Sequence, residues 1–155
     1  MTQATTFDRL RADAARYDSA NVIVAMRHPG FRLGALWRLS CTAQRRGWRV
    51  IPGLIRQLAL GLFGCDLSPL AEVAPGIKIP HPVGVVVGDR VVIHEGVTLM
   101  QNTTLGGNFG RTVGGRMVPT LGPGVFVGPG AGVFGPVEIT KGAVLGANTV
   151  TTRDV

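Results

Sequence analysis

Aromatic residues are scarce, at 6% of 155 residues with Tyr17 the single tyrosine, so small aliphatic side chains must do most of the packing. Cysteine is nearly absent: Cys41 and Cys65 form no CxxC motif. That excludes a disulfide framework, and their apolar surroundings point to buried free thiols. No run reaches the roughly 18 apolar residues of a membrane-spanning helix. Met1 to Tyr17 carries charges throughout and lacks the apolar centre of a signal peptide, so a reducing cytoplasm is the expected setting. Acidic residues are few, 9 against 16 Lys plus Arg. The excess sits in the first third, at Arg9, Arg11, Arg16, Arg27, Arg32, Arg38, Arg45, Arg46, Arg49 and Arg56. No aromatic-interleaved basic strand and no zinc or helix-turn-helix spacing accompanies it, so nucleic acid is not an expected partner.

Glycine, by contrast, is abundant at 23 residues, and it falls in a metre. Aliphatic residues return every sixth position at Val73 and Ile79, then Val87, Ile93, Leu99 and Leu105, then Leu121, Val127, Val133, Ile139 and Leu145. Three residues after many of these stands a turn former: Gly76, Gly96, Asn102, Gly124, Gly130, Gly142, Asn148. A period of six fits neither a helix nor an alternating strand, but it is the signature of a parallel β-helix, one flat side and one corner per repeat. The aliphatic residue points inward, and Gly or Asn at the corner tolerates a positive φ. A Gly-rich β-sandwich would not keep eleven such positions in step.

Two parts follow: residues 1–64 helical, residues 65–155 a β-helix. Phe7 to Tyr17 carries Phe7, Leu10 and Ala14 at helical spacing, and Phe31 to Arg45 carries Leu33, Leu36, Trp37 and Leu39. Pro52-Gly53 is read as a break before a short apolar helix, Leu54 to Phe63. That helix is expected to cap the open end of the β-helix or to pack on another subunit, in preference to a membrane surface.

The metre breaks twice, and interruptions of a regular scaffold are where function is placed. Eight residues separate Ile79 from Val87, bulging around Pro80-His81-Pro82. Sixteen separate Leu105 from Leu121, where two repeats would take twelve; the insert GGNFGRTVGGRMVPT carries Arg111 and Arg116. Asp66 precedes His81 by fifteen residues. In a coil of about eighteen this returns nearly to the same edge, one rung of about 4.8 Å away. A carboxylate there would hold one imidazole nitrogen while the other acts as base. Asp66 suits a cap at the helix-to-coil junction equally well. His28, in a helix-breaking turn, and His94, on an ordinary coil, read as structural, so a three-His zinc centre is not expected and no metal is assigned.

The segments NVIVAMRHPGFRLGALWRLS, DLSP, PHPVGVVVGDRVVIHEGVTLMQNTTLGG, VPTLGPGVFVGPGAGVFGP and LGANTVTTRDV resemble the serine acetyltransferase branch of the left-handed β-helix (hexapeptide-repeat) acyltransferases, over essentially the whole chain. The resemblance implies an acetyl-CoA-dependent O-acetyltransferase with His81 as general base and Asp66 orienting it. It also implies a homotrimer with acetyl-CoA between subunits, and pairing of trimers through the N-terminal helices as a further option. Gly106 and Gly107 would offer N–H groups to the thioester, and Gly130 and Ala147 would leave room for the pantetheine arm. Pro80, Arg116, Met117 and Val118 would line the acceptor pocket. There the chain departs from its family, which usually reads Asp-His for Pro80-His81 and Asp-Arg-His-Pro-Lys for Arg116-Met117-Val118-Pro119-Thr120. The groups that grip an amino acid's charges are missing, so the acceptor is either L-serine or a sugar or exopolysaccharide hydroxyl. A non-catalytic trimeric scaffold is the reading of another class. The family also continues beyond the position of Val155, so the final coil is expected to be incomplete.

Overall fold

The computed structural model describes residues 4–19, 21–108, 110 and 112–155. Helices α1 (Thr6–Ala15), α2 (Val22–Ala25), α3 (Pro29–Arg45) and α4 (Ile51–Phe63) come first. The strands that follow form three parallel walls. The first holds β1 (Asp66–Leu67), β3 (Val86–Val87), β6 (Thr104–Gly106), β9 (Gly132–Phe134) and β12 (Val150–Thr151). The second holds β2 (Glu72–Val73), β4 (Val92–Ile93), β7 (Thr120–Leu121) and β10 (Glu138–Ile139), and the third β5 (Thr98–Leu99), β8 (Phe126–Val127) and β11 (Val144–Leu145).

A regular coil takes eighteen residues, as in Val86 paired with Thr104 and Thr120 with Glu138. The coil through His81 takes twenty, with Asp66 opposite Val86. The coil through the second break takes twenty-eight, with Val92 opposite Thr120. The second insertion is therefore larger than the sequence metre implied. Leu121 stands on the wall next to that of Leu105, one side on rather than two.

All eleven metre positions are buried, and a second inward set lies two residues before them, including Val85, Val91, Val97, Val125 and Val137. This second set escapes a reading that looks for one apolar residue in six. The seven expected corner residues all have positive φ, from 58° at Asn148 to 83° at Gly76. Arg90, at φ 61°, occupies one further corner in the region that β-carbons resist.

The helices close the first coil. Leu33, Trp37 and Cys41 of α3, with Ala59 of α4, join the same core as the coil residues, and the Trp37 indole N–H donates to the Ser68 carbonyl at 2.8 Å. Leu39 and Phe7, expected on inward stripes, are instead exposed. On α3 the inward face is Gly30, Leu33, Gly34, Trp37 and Cys41, and Leu39 falls on the far side of that face. Pro52 does not break a helix but starts α4, where its missing N–H costs nothing. α4 ends at Gly64 with φ 61°.

Arginines of the first third bind coil carbonyls. Arg9 donates to the Val73 carbonyl at 2.8 Å, and Arg16 to the Gly76 carbonyl at 2.9 Å and the Gly96 carbonyl. Buried Arg38 pairs with buried Asp13 at 2.9 Å and also donates to Val73 and Ala74 carbonyls. Asp13 in turn accepts from the Gly76 and Ile77 N–H groups, so a single ion pair satisfies a corner of the first coil from both sides. At the other end Val155 exchanges backbone hydrogen bonds with Glu138 and Thr140, running along the second wall.

Candidate active site

His81 stands exposed on the bulge between Ile79 and β3. Its carbonyl accepts from the Val83 N–H at 2.9 Å, a tight local turn, while the Gly84 N–H donates to Gly64 below and the Val83 carbonyl accepts from Asn102 above. The bulge is thus pinned on both neighbouring rungs although it leaves the wall. From the helical side the Tyr17 hydroxyl accepts from the Ile79 N–H at 2.9 Å, and its ring lies 5.4 Å from that of His28. Gly30 is obligatory beneath the bulge, because a β-carbon there would overlap the Ile79 carbonyl oxygen. The His81 imidazole makes no hydrogen bond among the described residues, and its outer face is open.

Asp66 opens β1, one coil below. Its carboxylate meets Arg56 of α4 in a two-pronged pair, 2.5 Å to Nε and 2.9 Å to Nη2. The Arg56 guanidinium holds the Asp66 carboxyl below its ordinary 3.8, and Asp66 holds the guanidinium up in turn. Among the described residues no hydrogen bond joins Asp66 to His81. Arg56 was missed from the sequence as a site group; its signal was a lone cation in the apolar helix ten residues before Asp66.

The remaining expected residues fall on two edges of the prism. Gly130 and Ala147 lie above the His81 bulge, on the corner column through Asn102 and Asn148. Gly130 has φ 70°, and a β-carbon would collide with the Asn148 side chain, so its smallness already has a structural cause. The other edge carries Gly106, Gly107 and the second insertion. Gly106 pairs opposite Phe134 in the ladder, whereas the Gly107 N–H has no partner among the described residues.

The insertion ends in a two-residue hairpin in which Val113 and Arg116 exchange backbone bonds across Gly114 and Gly115, at φ 56° and 77°. Arg111 lies outside the described residues. Arg116 faces Glu138 at 3.5 Å, Met117 is exposed, and Val118 packs against the core. Beneath the hairpin is an open cavity of about 560 Å³ whose walls include Leu70, Asp89, Arg90, Val92 and Val118. Asp89 is held there by the buried Ser68 hydroxyl at 2.5 Å. Pro80 is on the His81 edge, so the expected acceptor residues are divided between the two corners, and one chain does not gather them into a single pocket.

Burial pushes both thiols up, and Cys41 and Cys65 are free and buried, as their apolar surroundings suggested.

No family model matches the chain. A serine acetyltransferase of Helicobacter pylori is 35% identical over 132 residues, 85% of this chain and 76% of that protein. One of Synechococcus elongatus is 36% identical over 132 residues, 85% of this chain and 53% of that protein. The solved soybean serine acetyltransferase complexed with serine superposes with a TM-score of 0.85 at 29% identity, over 97% of this chain and 63% of that one. The chain shares the left-handed β-helix of that solved structure, and its own N-terminal helices are short. The chain spans about half the length of the first curated relatives it matches.

Proposed function

Because the chain belongs to the serine acetyltransferase family, we propose that it is an acetyl-CoA-dependent O-acetyltransferase with His81 as general base. The observation that carries this is an exposed imidazole on a bulge clamped from the rungs above and below and from Tyr17. A regular solenoid has no packing use for such a feature. The neutral imidazole takes the proton of the acceptor hydroxyl as that oxygen bonds to the thioester carbonyl carbon. The C–S bond then breaks, and the imidazolium returns the proton to the departing CoA sulfur. The Gly107 N–H, which has no partner among the described residues, suits the negative charge that develops on the thioester oxygen.

Asp66 acts as the orienting carboxylate. A carboxylate has about four acceptor positions, so two bonds from Arg56 leave room for an imidazole N–H. Arg56 keeps that carboxylate ionised. The separation of His81 and Pro80 from Arg116–Val118 on different edges supports a trimer in which one subunit's bulge faces another's insertion, with Gly130 and Ala147 along the acetyl-CoA groove.

L-serine is the acceptor in this reading. A sugar or glycan hydroxyl is the second, favoured by an insertion whose Val118 packs inward and whose Arg116 is taken by Glu138. Zwitterion binding relies on free, directional charge pairs. CoA release from acetyl-CoA, with L-serine in one assay and nucleotide sugars and glycosides in others, separates them. Release with serine supports the first, release only with sugars the second. Silence in all assays refutes the enzyme and leaves the scaffold.

A further inference from the structure

We propose that the outer face of the helical segment is a docking surface for an anionic lipid bilayer. Residues 19–65 contain seven arginines and not one Asp or Glu. Arg38 is consumed by Asp13, and Arg56 by Asp66. Arg27, Arg32, Arg45, Arg46 and Arg49 are exposed, and none meets a carboxylate among the described residues.

The same segment holds the apolar surface that the fold leaves uncovered. α4 buries Pro52 and Ala59 against the protein and turns its leucines outward, with Leu54 62%, Leu58 50% and Leu62 65% exposed. A helix that hides alanine and shows leucine is not explained by packing on its own chain. Val50 and Trp48 extend the apolar stripe to the α3–α4 turn, between the cations Arg45, Arg46 and Arg49. At the other end Met26, Arg32, Leu39, Leu62 and Phe63 surround one open groove of about 440 Å³, so the patch runs from the residue that ends α2 over α3 and α4.

Charge complementarity selects the occupant. A second copy docking through this face by two-fold symmetry would set arginine against arginine with no carboxylate to relieve it. A bilayer with anionic headgroups accepts both components at once, leucines into the acyl boundary and arginines among the phosphates, with Trp48 at the level where indole rings settle. No helix of the described residues is long and apolar enough to cross a membrane, so the contact is interfacial.

The test is co-sedimentation of the full chain with equimolar phosphatidylcholine–phosphatidylglycerol vesicles and with pure phosphatidylcholine vesicles, at low and high salt. Trp fluorescence is read alongside: Trp37 is buried, so a blue shift reports Trp48. We expect binding to the anionic vesicles only, lost at high salt and accompanied by the shift. The variants Leu54→Ser/Leu58→Ser and Arg45→Glu/Arg46→Glu/Arg49→Glu alter only exposed side chains and each lose at least about tenfold in bound fraction. Absence of sedimentation, or equal binding to neutral vesicles, overturns the proposal. So does a lipid-free self-association by sedimentation velocity that Leu54→Ser/Leu58→Ser abolishes, which would give the face to a second copy. None of these readouts depends on acetyl transfer.

Discussion

Asp66 is caught between a helix and a reaction. Its carboxylate ties α4 to the first coil through Arg56, and in the proposed mechanism it also steers His81. His81→Ala is expected to lower turnover by about 10²–10⁴-fold with circular dichroism unchanged, the range of a positioned general base. Asp66→Asn lowers it less; equal rates for Asp66→Asn and wild type would reduce Asp66 to a junction group. The ion pair makes its own prediction. A carboxyl whose folded pKa lies below its unfolded value stabilises the fold above the ordinary 3.8, and that contribution is lost as pH falls through the lowered value. Arg56→Gln should therefore melt earlier than wild type at neutral pH, and the gap should close on acidification below about pH 4. Both groups are about one-third exposed, so solvent screening keeps the gap small. A gap independent of pH would show that Arg56 acts through packing only.

The bulge is an element of the helices as much as of the β-helix. Tyr17 bonds both the N–H and the carbonyl of Ile79, two residues before His81, and burial pushes its phenol up to about 12. Tyr17→Phe leaves the buried Ile79 N–H without a partner, for an expected loss of about 1–3 kcal/mol in urea unfolding. Gly30→Ala must displace the Ile79 backbone itself, so it should lower stability by a similar or larger amount and lower turnover with it. Full activity in Gly30→Ala would mean that the bulge is not held from below. The second insertion is a different kind of element, a Gly-Gly hairpin whose turn is set by local chemistry rather than by the coil beneath it.

Across the whole molecule, the helical segment is tied to the β-helix by Asp13 and Arg38, which complete the hydrogen bonding of the first coil. Asp13→Ala strands a buried guanidinium and two N–H groups, and should cost about 3–5 kcal/mol in chemical denaturation. A loss below about 1 kcal/mol, the worth of a surface pair, would show that the helices dock mainly by apolar contact. This use of arginine also revises the meaning of the basic balance. Arg9, Arg16 and Arg38 are committed to coil carbonyls, and apart from Arg11 on α1 the exposed arginines of the first third belong to the segment that carries the outer leucines of α4.

Much of this was legible in the order of residues. A period of six with Gly or Asn at fixed offsets has one steric solution, and every expected corner took a positive φ while every metre position was buried. His81 stood out for the same reason, since the two surplus residues between Ile79 and Val87, around Pro80-His81-Pro82, cannot remain flush with a wall. The helices were read less well, because apolar spacing tells that a face exists but not which face is turned inward. Leu39 satisfied the pattern and still faced out, as do the outer leucines of α4, since α3 meets the coil at Gly30, where a β-carbon would overlap the Ile79 carbonyl oxygen, and α4 turns Ala59 inward. The partner of Asp66, the clamp of Tyr17 on Ile79 and the division of Pro80, His81 and Arg116 between two corners depend on contacts between distant residues. The sequence determined the repeat and its interruptions, which are local. The tertiary structure decided what holds each interruption, because those partners meet only once the coils have stacked and the helices have closed over them.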